Sequence, residues 1–147
     1  MTKPTPPVRS EFKHFLVLPT RWADNDVYGH VNNVTYFSYF DTAVNQWLME
    51  QGLLSISPEG DADTPVGLVV SNQCQYYASL AFPQVLEIGL RVEHLGNSSV
   101  RYGLGVFAVG DTALAAYGQF THVYVHRSTR KPMPLPARWR LKLGELQ

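Results

Sequence analysis

Cysteine is nearly absent: Cys74 is the single one in 147 residues. An intramolecular disulfide is therefore impossible, and a cysteine-rich zinc site is excluded. Long apolar runs are missing as well. No stretch approaches the length of a membrane-spanning helix, and the opening MTKPTPPVRS lacks the apolar centre of a signal peptide. The expectation is a cytoplasmic protein with no membrane insertion. Neither charge sign is in excess, since 12 Lys plus Arg balance 12 Asp plus Glu. Proteins built to coat nucleic acid carry a strong positive surplus, so no nucleic-acid partner is expected. There is no GxSxG elbow, P-loop or Gly-rich dinucleotide fingerprint. Asp24, Asp26 and His30 match no metal-ligand spacing, so no metal is expected.

What is present is enough for one folded domain. Hydrophobic residues make up 45% of the chain and charged residues 16%, which fits a packed core and a surface prone to self-association. The charges are also segregated. Between Trp22 and Leu90 there is no Lys or Arg, while Asp24, Asp26, Asp41, Glu50, Glu59, Asp61, Asp63 and Glu87 fall there. From Arg127 onward, Arg127, Arg130, Lys131, Arg138, Arg140 and Lys142 face a single acid, Glu145. Such a split suits an anionic ligand met by the basic tail, or complementarity between the two halves within or between subunits.

The Pro- and Thr-rich residues 1–10 read as a loose arm, and 11–147 as a single domain. EFKHFLVLPT reads as a strand ending near Pro19. After a polar turn-rich segment the period changes. Tyr36, Phe37, Phe40, Val44, Trp47 and Leu48 recur three and four apart, which predicts a helix over about residues 34–51, with Asn32 and Asn33 as N-cap candidates and Gly52 as the stop. Residues 53–64 read as a loop. Four strands follow. In one, Leu86, Ile88, Leu90 and Val92 alternate with Glu87 and Arg91, the signature of a half-buried strand. Gly96-Asn97 and Gly110-Asp111 are the expected turns. The last two strands are apolar on both faces, which calls for cover on both sides and makes a partner subunit the simplest supplier. Cys74 falls in a strand and reads as a small buried hydrophobe. KPMPLPARWRLKL reads as an extended tail closing in a short turn or helix. The order predicts an α+β fold in two layers, one long helix against a meander of about five antiparallel strands.

The chemistry points to Arg21–Asn33. Asp24 and Asp26 sit in a loop that opens directly onto the helix, with His30, Asn32 and Asn33 between. A helix N-terminus presents free N–H groups and the positive end of the dipole. A developing oxyanion there meets donors already in place, and an upstream carboxylate can fold back as base or nucleophile. Capping and turn formation by the same residues is the plainer alternative.

RWADNDVYGHVNNVTYFSYFDTA resembles the signature region of the hotdog-fold acyl-CoA thioesterases, the 4-hydroxybenzoyl-CoA thioesterase-like group: an aromatic, then Asp-x-Asp-x-x-Gly-His-hydrophobic-x-Asn, with a Tyr leading into the helix. EHLGNSSVRYGLGVF and RSTRKPMPLP resemble two later segments of that family, so the likeness spans about residues 11–140. It implies a hotdog fold, with the helix wrapped by a curved sheet, and a homodimer or homotetramer with edge-joined sheets and active sites at the interface. It implies acyl-CoA hydrolysis, with carrier-protein thioesterase and non-catalytic acyl-CoA binding as the alternatives. Asp26 falls at the family's catalytic carboxylate, as nucleophile or as activator of water. Asn33 falls where a backbone N–H polarises the thioester carbonyl, and His30 where some members carry His. Gly29 permits the tight turn, Asn32 bonds substrate or braces the loop, and Tyr36 packs near the site. Coenzyme A enters as part of the substrate and not as a cofactor, with Arg101, Arg130 and Lys131 as the candidate phosphate partners. Val27-Tyr28 and Asn32-Asn33 depart from the aromatic-acyl members.

Overall fold

A computed structural model describes residues 5–55 and 64–147. Residues 1–4 of the expected arm and 56–63 of the expected loop lie outside them. Five strands, β1 (His14–Pro19), β2 (Val66–Tyr76), β3 (Val85–Leu95), β4 (Ser99–Ala108) and β5 (Ala116–Val125), form one antiparallel sheet in the order β1-β3-β4-β5-β2. Period-two alternation sets its faces. Leu86, Ile88, Leu90 and Val92 share the inner face with Val100, Tyr102, Leu104 and Val106, all buried, through the register Ile88↔Val106 and Leu90↔Leu104.

The predicted helix forms as α1 (Thr35–Glu50). It buries Tyr36, Tyr39, Phe40, Ala43, Val44, Trp47 and Leu48, so the stripe follows the three-and-four spacing and also takes in Tyr39 and Ala43. Phe40 seats on Gly118 of β5, where a Cβ would collide with its ring. The tail closes with α2 (Ala137–Gly144), whose Trp139 and Leu143 enter the same core together with Leu135 and Leu146. The sheet packs against α1 as expected, though it is not strongly curled. A helix packed on a five-stranded antiparallel sheet in this order is the hotdog arrangement.

The outer face revises another expectation. Six consecutive residues of β4, Tyr102–Phe107, are buried, but part of their cover comes from the chain itself. Arg9–Glu11 form a 3-10 turn within the expected loose arm, and Arg9 pairs with Glu87 at 3.0 Å. Phe12 then lies over the paired glycines Gly89 and Gly105 and meets Phe107 edge-on at 5.9 Å. Elsewhere on the outer face Arg91, Glu93, Arg101, Tyr117 and Gln119 form a polar cluster bonded among themselves.

Candidate active site

The loop before α1 is built around Asp24. Its carboxylate is 1% exposed and accepts from the Arg21 amide at 2.9 Å, the Arg21 guanidinium at 3.0 and 3.1 Å, and the Tyr39 hydroxyl at 2.8 Å. Burial alone would raise its pKa, yet these donors outweigh it and hold the carboxyl below its ordinary value. Its backbone carbonyl accepts from the Asn32 amide at 2.9 Å, which ties the two ends of the loop together. Asp24 therefore braces.

Asp26 sits at the tip. Its amide donates to the His30 carbonyl at 3.0 Å, its carbonyl accepts from Gly29 at 3.1 Å, and its Oδ1 accepts from the Tyr28 amide at 2.9 Å. The backbone turn that follows this Asx turn ends at Gly29 with φ +86°; no atom lies within 4 Å of a Cβ built there, so backbone conformation alone favours the glycine. Asp26 is half-buried, and no bond to its Oδ2 occurs among the described residues.

Asn32 organises the start of α1. Its side-chain Oδ1 accepts from the Val34 amide at 2.9 Å and its carbonyl from Thr35 at 3.0 Å, an Asx turn ahead of the helix; the N-cap position itself is Val34, without a side-chain cap bond, which corrects the expectation of Asn32 or Asn33 there. The amide of Asn33, between Asn32 and Val34, has no hydrogen-bond partner among the described residues. The Asn33 carbonyl accepts from the Tyr76 hydroxyl at 3.0 Å, which pins this peptide to the end of β2. Tyr36 is buried edge-on to Tyr76 at 5.0 Å, and burial pushes its hydroxyl up to about 12.

These elements enclose a cavity of about 550 Å³. Of the residues expected from sequence, Asp26, His30, Asn32, Asn33 and Tyr36 all line it, and Gly29 shapes its rim from the adjoining turn. The His30 side chain makes no hydrogen bond among the described residues. Arg101, Arg130 and Lys131 are not in this group. Arg101 lies on the outer face, 3.2 Å from Glu93. Arg130, at φ 60°, and Lys131 are exposed in the turn after β5, at the opposite end of the strands from the cavity. Tyr28, Val31, Tyr76, Tyr77, Ala78 and Ser79 form the rest of the wall; Tyr76, Ala78 and Ser79 went unrecognised in the sequence, where the aromatic pair Tyr76-Tyr77 at a strand end was the available signal. Among the described residues, no three His, Cys, Asp or Glu side chains are placed to hold a metal ion, and no helix is long and apolar enough to cross a membrane.

A long helix packed on a five-stranded antiparallel sheet in this order is the architecture of the thioesterase-like class. The chain belongs to the Thioesterase-like superfamily, whose profile matches residues 20–143. It is similar to the PA5185 protein of Pseudomonas aeruginosa strain PAO1, with 50% identity, 96% of each chain covered and a TM-score of 0.89. A thioesterase from Thermus thermophilus, solved in complex with coenzyme A and Zn, is 26% identical, with 90% of this chain and 98% of that one covered and a TM-score of 0.73. The uncharacterised protein YsmA of Bacillus subtilis (strain 168) is 26% identical over 92 residues, 63% of this chain; the match spans only 59% of YsmA.

Proposed function

We propose that the protein hydrolyses an acyl-CoA thioester to a free carboxylic acid and coenzyme A. The observation that carries this reading is the shared cavity: the Asp26 carboxylate and Asn33, with its unpartnered amide, line one volume at the N-terminal end of α1. In this reading the Asn33 amide and the helix dipole stabilise the oxyanion that forms as the carbonyl is attacked. Asp26 either attacks the carbonyl or takes a proton from the attacking water. With water as the nucleophile, its oxygen bonds to the carbonyl carbon, Asp26 holds the proton taken from it, the C–S bond breaks and the acid is released; with Asp26 as the nucleophile, C–S cleavage leaves an acyl–Asp26 anhydride, which water then cleaves to release the acid and restore the carboxylate. The departing thiolate takes up a proton, and His30 lines the same wall as a donor for it. Membership of the superfamily and likeness to a coenzyme A-bound thioesterase support the substrate class. The working unit in this reading is a homodimer or homotetramer.

The test is thiol release over short, long, branched and aromatic acyl-CoAs, with wild type beside Asp26→Asn. The variant should lose about 10²–10⁴-fold in kcat. Turnover by Asp26→Asn at the native rate would remove Asp26 from the chemistry, and absence of thiol release from wild type on every ester would remove the hydrolase reading.

A further inference from the structure

The outer face of the sheet carries a second cavity, of about 440 Å³, that the proposed chemistry does not use. Its floor is built across three strands over one glycine. Gly103 of β4 lies in register between Arg91 of β3 and Gln119 of β5. A Cβ on Gly103 would collide with the Tyr117 hydroxyl and stand 3.0 Å from Glu93 Oε1 and 3.1 Å from Arg91 Nε. The missing side chain thus lets polar groups of β3 and β5 converge above β4. Glu93 accepts from Gln119 Nε2 at 2.8 Å, from Arg101 Nε at 3.2 Å and from the Tyr117 hydroxyl. The Arg91 guanidinium donates to the Tyr117 oxygen at 3.0 and 3.3 Å and stands 3.6 Å from Glu11. Two carboxylates, Glu11 and Glu93, therefore meet two guanidiniums, Arg91 and Arg101. With each cation already matched by a carboxylate, the cluster has no charge to spare for a phosphate and selects a neutral ligand.

The groups left to bind such a ligand are amides. The side chains of Gln73 and Gln75 line the cavity and make no hydrogen bond among the described residues, and Gln119 donates through Nε2 while its Oε1 accepts from none of them. Gln73 and Gln75 are two apart on β2, so they project to one face about 7 Å from each other. Each amide offers two donor hydrogens and an acceptor oxygen. Flat rings supply the walls: Tyr117 from β5, Tyr77 just past β2, and Pro6 and Pro7 from the N-terminal arm. Amide edges beside flat rings suit a planar heterocycle. A glutamine amide pairs bidentately with the N6 amino group and N7 of adenine, and aromatic faces stack on bases of any kind. A purine bonded to its sugar still presents two polar edges in one plane, one for each amide, whereas a pyrimidine nucleoside presents one. Tyr77 also lines the active-site cavity, so a single residue stands in both walls.

The geometry points to a purine nucleoside site on the outer face, in which Gln73 and Gln75 take the two edges of an adenine stacked among the tyrosine and proline rings. This site is separate from the acyl-CoA cavity and does not rest on the hydrolase reading. Titration calorimetry with adenosine on the full-length protein tests it. Wild type should bind one adenosine per chain, and should bind inosine, whose O6 cannot donate, about tenfold more weakly. Gln73→Leu/Gln75→Leu should lose adenosine affinity by about tenfold or more. Its urea midpoint should stay that of wild type, because neither side chain is bonded to another described residue. Saturating coenzyme A should leave adenosine binding unchanged. No adenosine binding by wild type at about 1 mM, equal affinity in the double variant, or equal affinity for inosine overturns the assignment. Displacement of adenosine by coenzyme A overturns it as well, since the nucleoside would then occupy the substrate's own nucleotide subsite.

Discussion

Asp24 and Asp26 are two residues apart and do opposite work. Asp24 is buried and fully bonded, so Asp24→Asn removes a charge that three groups are arranged to meet; hydrogen bonds to charged groups contribute about 1.5–3 kcal/mol each. A loss of about 2–3 kcal/mol in urea unfolding is expected. Asp26→Asn keeps the Oδ1 acceptor for the Tyr28 amide, so its stability should stay within about 0.5 kcal/mol of wild type while turnover collapses. Equal destabilisation of both variants would contradict this division. Tyr76 acts at one remove, through the Asn33 carbonyl. Tyr76→Phe should lower kcat about three- to tenfold, the value of one hydrogen bond, with KM little changed; an unaltered kcat would show that the Asn33 peptide needs no such anchor. The sequence made the loop's residues legible because they are contiguous. Tyr76 stands 43 positions from its partner, and no local pattern announces a contact of that range. Nor could sequence say which of the two aspartates is the buried one: that depends on Arg21 and Tyr39 closing around Asp24.

At the scale of elements, the helix-on-sheet contact is set by a missing side chain. Gly118 leaves the space that the Phe40 ring fills, and Phe40 is fully buried with nowhere to retreat. Gly118→Ala should destabilise by about 1–3 kcal/mol through overpacking. Phe40→Leu in that background should recover part of the loss, giving a double-mutant cycle whose terms do not add; additive losses in thermal melts would show that the two positions do not share the space. Element types were readable in advance because β3 alternates strictly and α1 keeps its three-and-four period. The supports between elements were not. Arg138 donates to the carbonyls of Gln51 and Gly52 at the end of α1, and Arg140 to those of Gly96 and Asn97 in the β3–β4 turn. In sequence both belong to an undifferentiated basic tail; in the fold they fasten that tail to carbonyls left over by a helix end and a turn.

At the scale of the whole molecule, the inner face carries a titratable group that the proposed chemistry does not use. His122 is 3% exposed among Tyr102, Phe120 and Tyr124, with Nδ1 3.3 Å from the Tyr124 hydroxyl and Nε2 buried without a partner among the described residues. Burial lowers its pKa from 6.5 to about 4, so the folded protein holds it neutral. The unfolded chain takes up this proton first as pH falls. Stability from this group is therefore complete above about pH 6.5 and declines steadily toward pH 4, by about 3 kcal/mol in all. The depressed carboxyl of Asp24 acts lower: its contribution is complete above the ordinary carboxylate pKa and disappears only as pH drops below it. The two groups thus divide the acid limb into consecutive windows. Urea midpoints measured from about pH 7 to about pH 4 should fall for wild type and stay nearly level for His122→Gln, whose amide cannot gain a proton. The same slope in both proteins would mean that His122 titrates alike folded and unfolded, and that its burial exerts no hold on the molecule's response to acid.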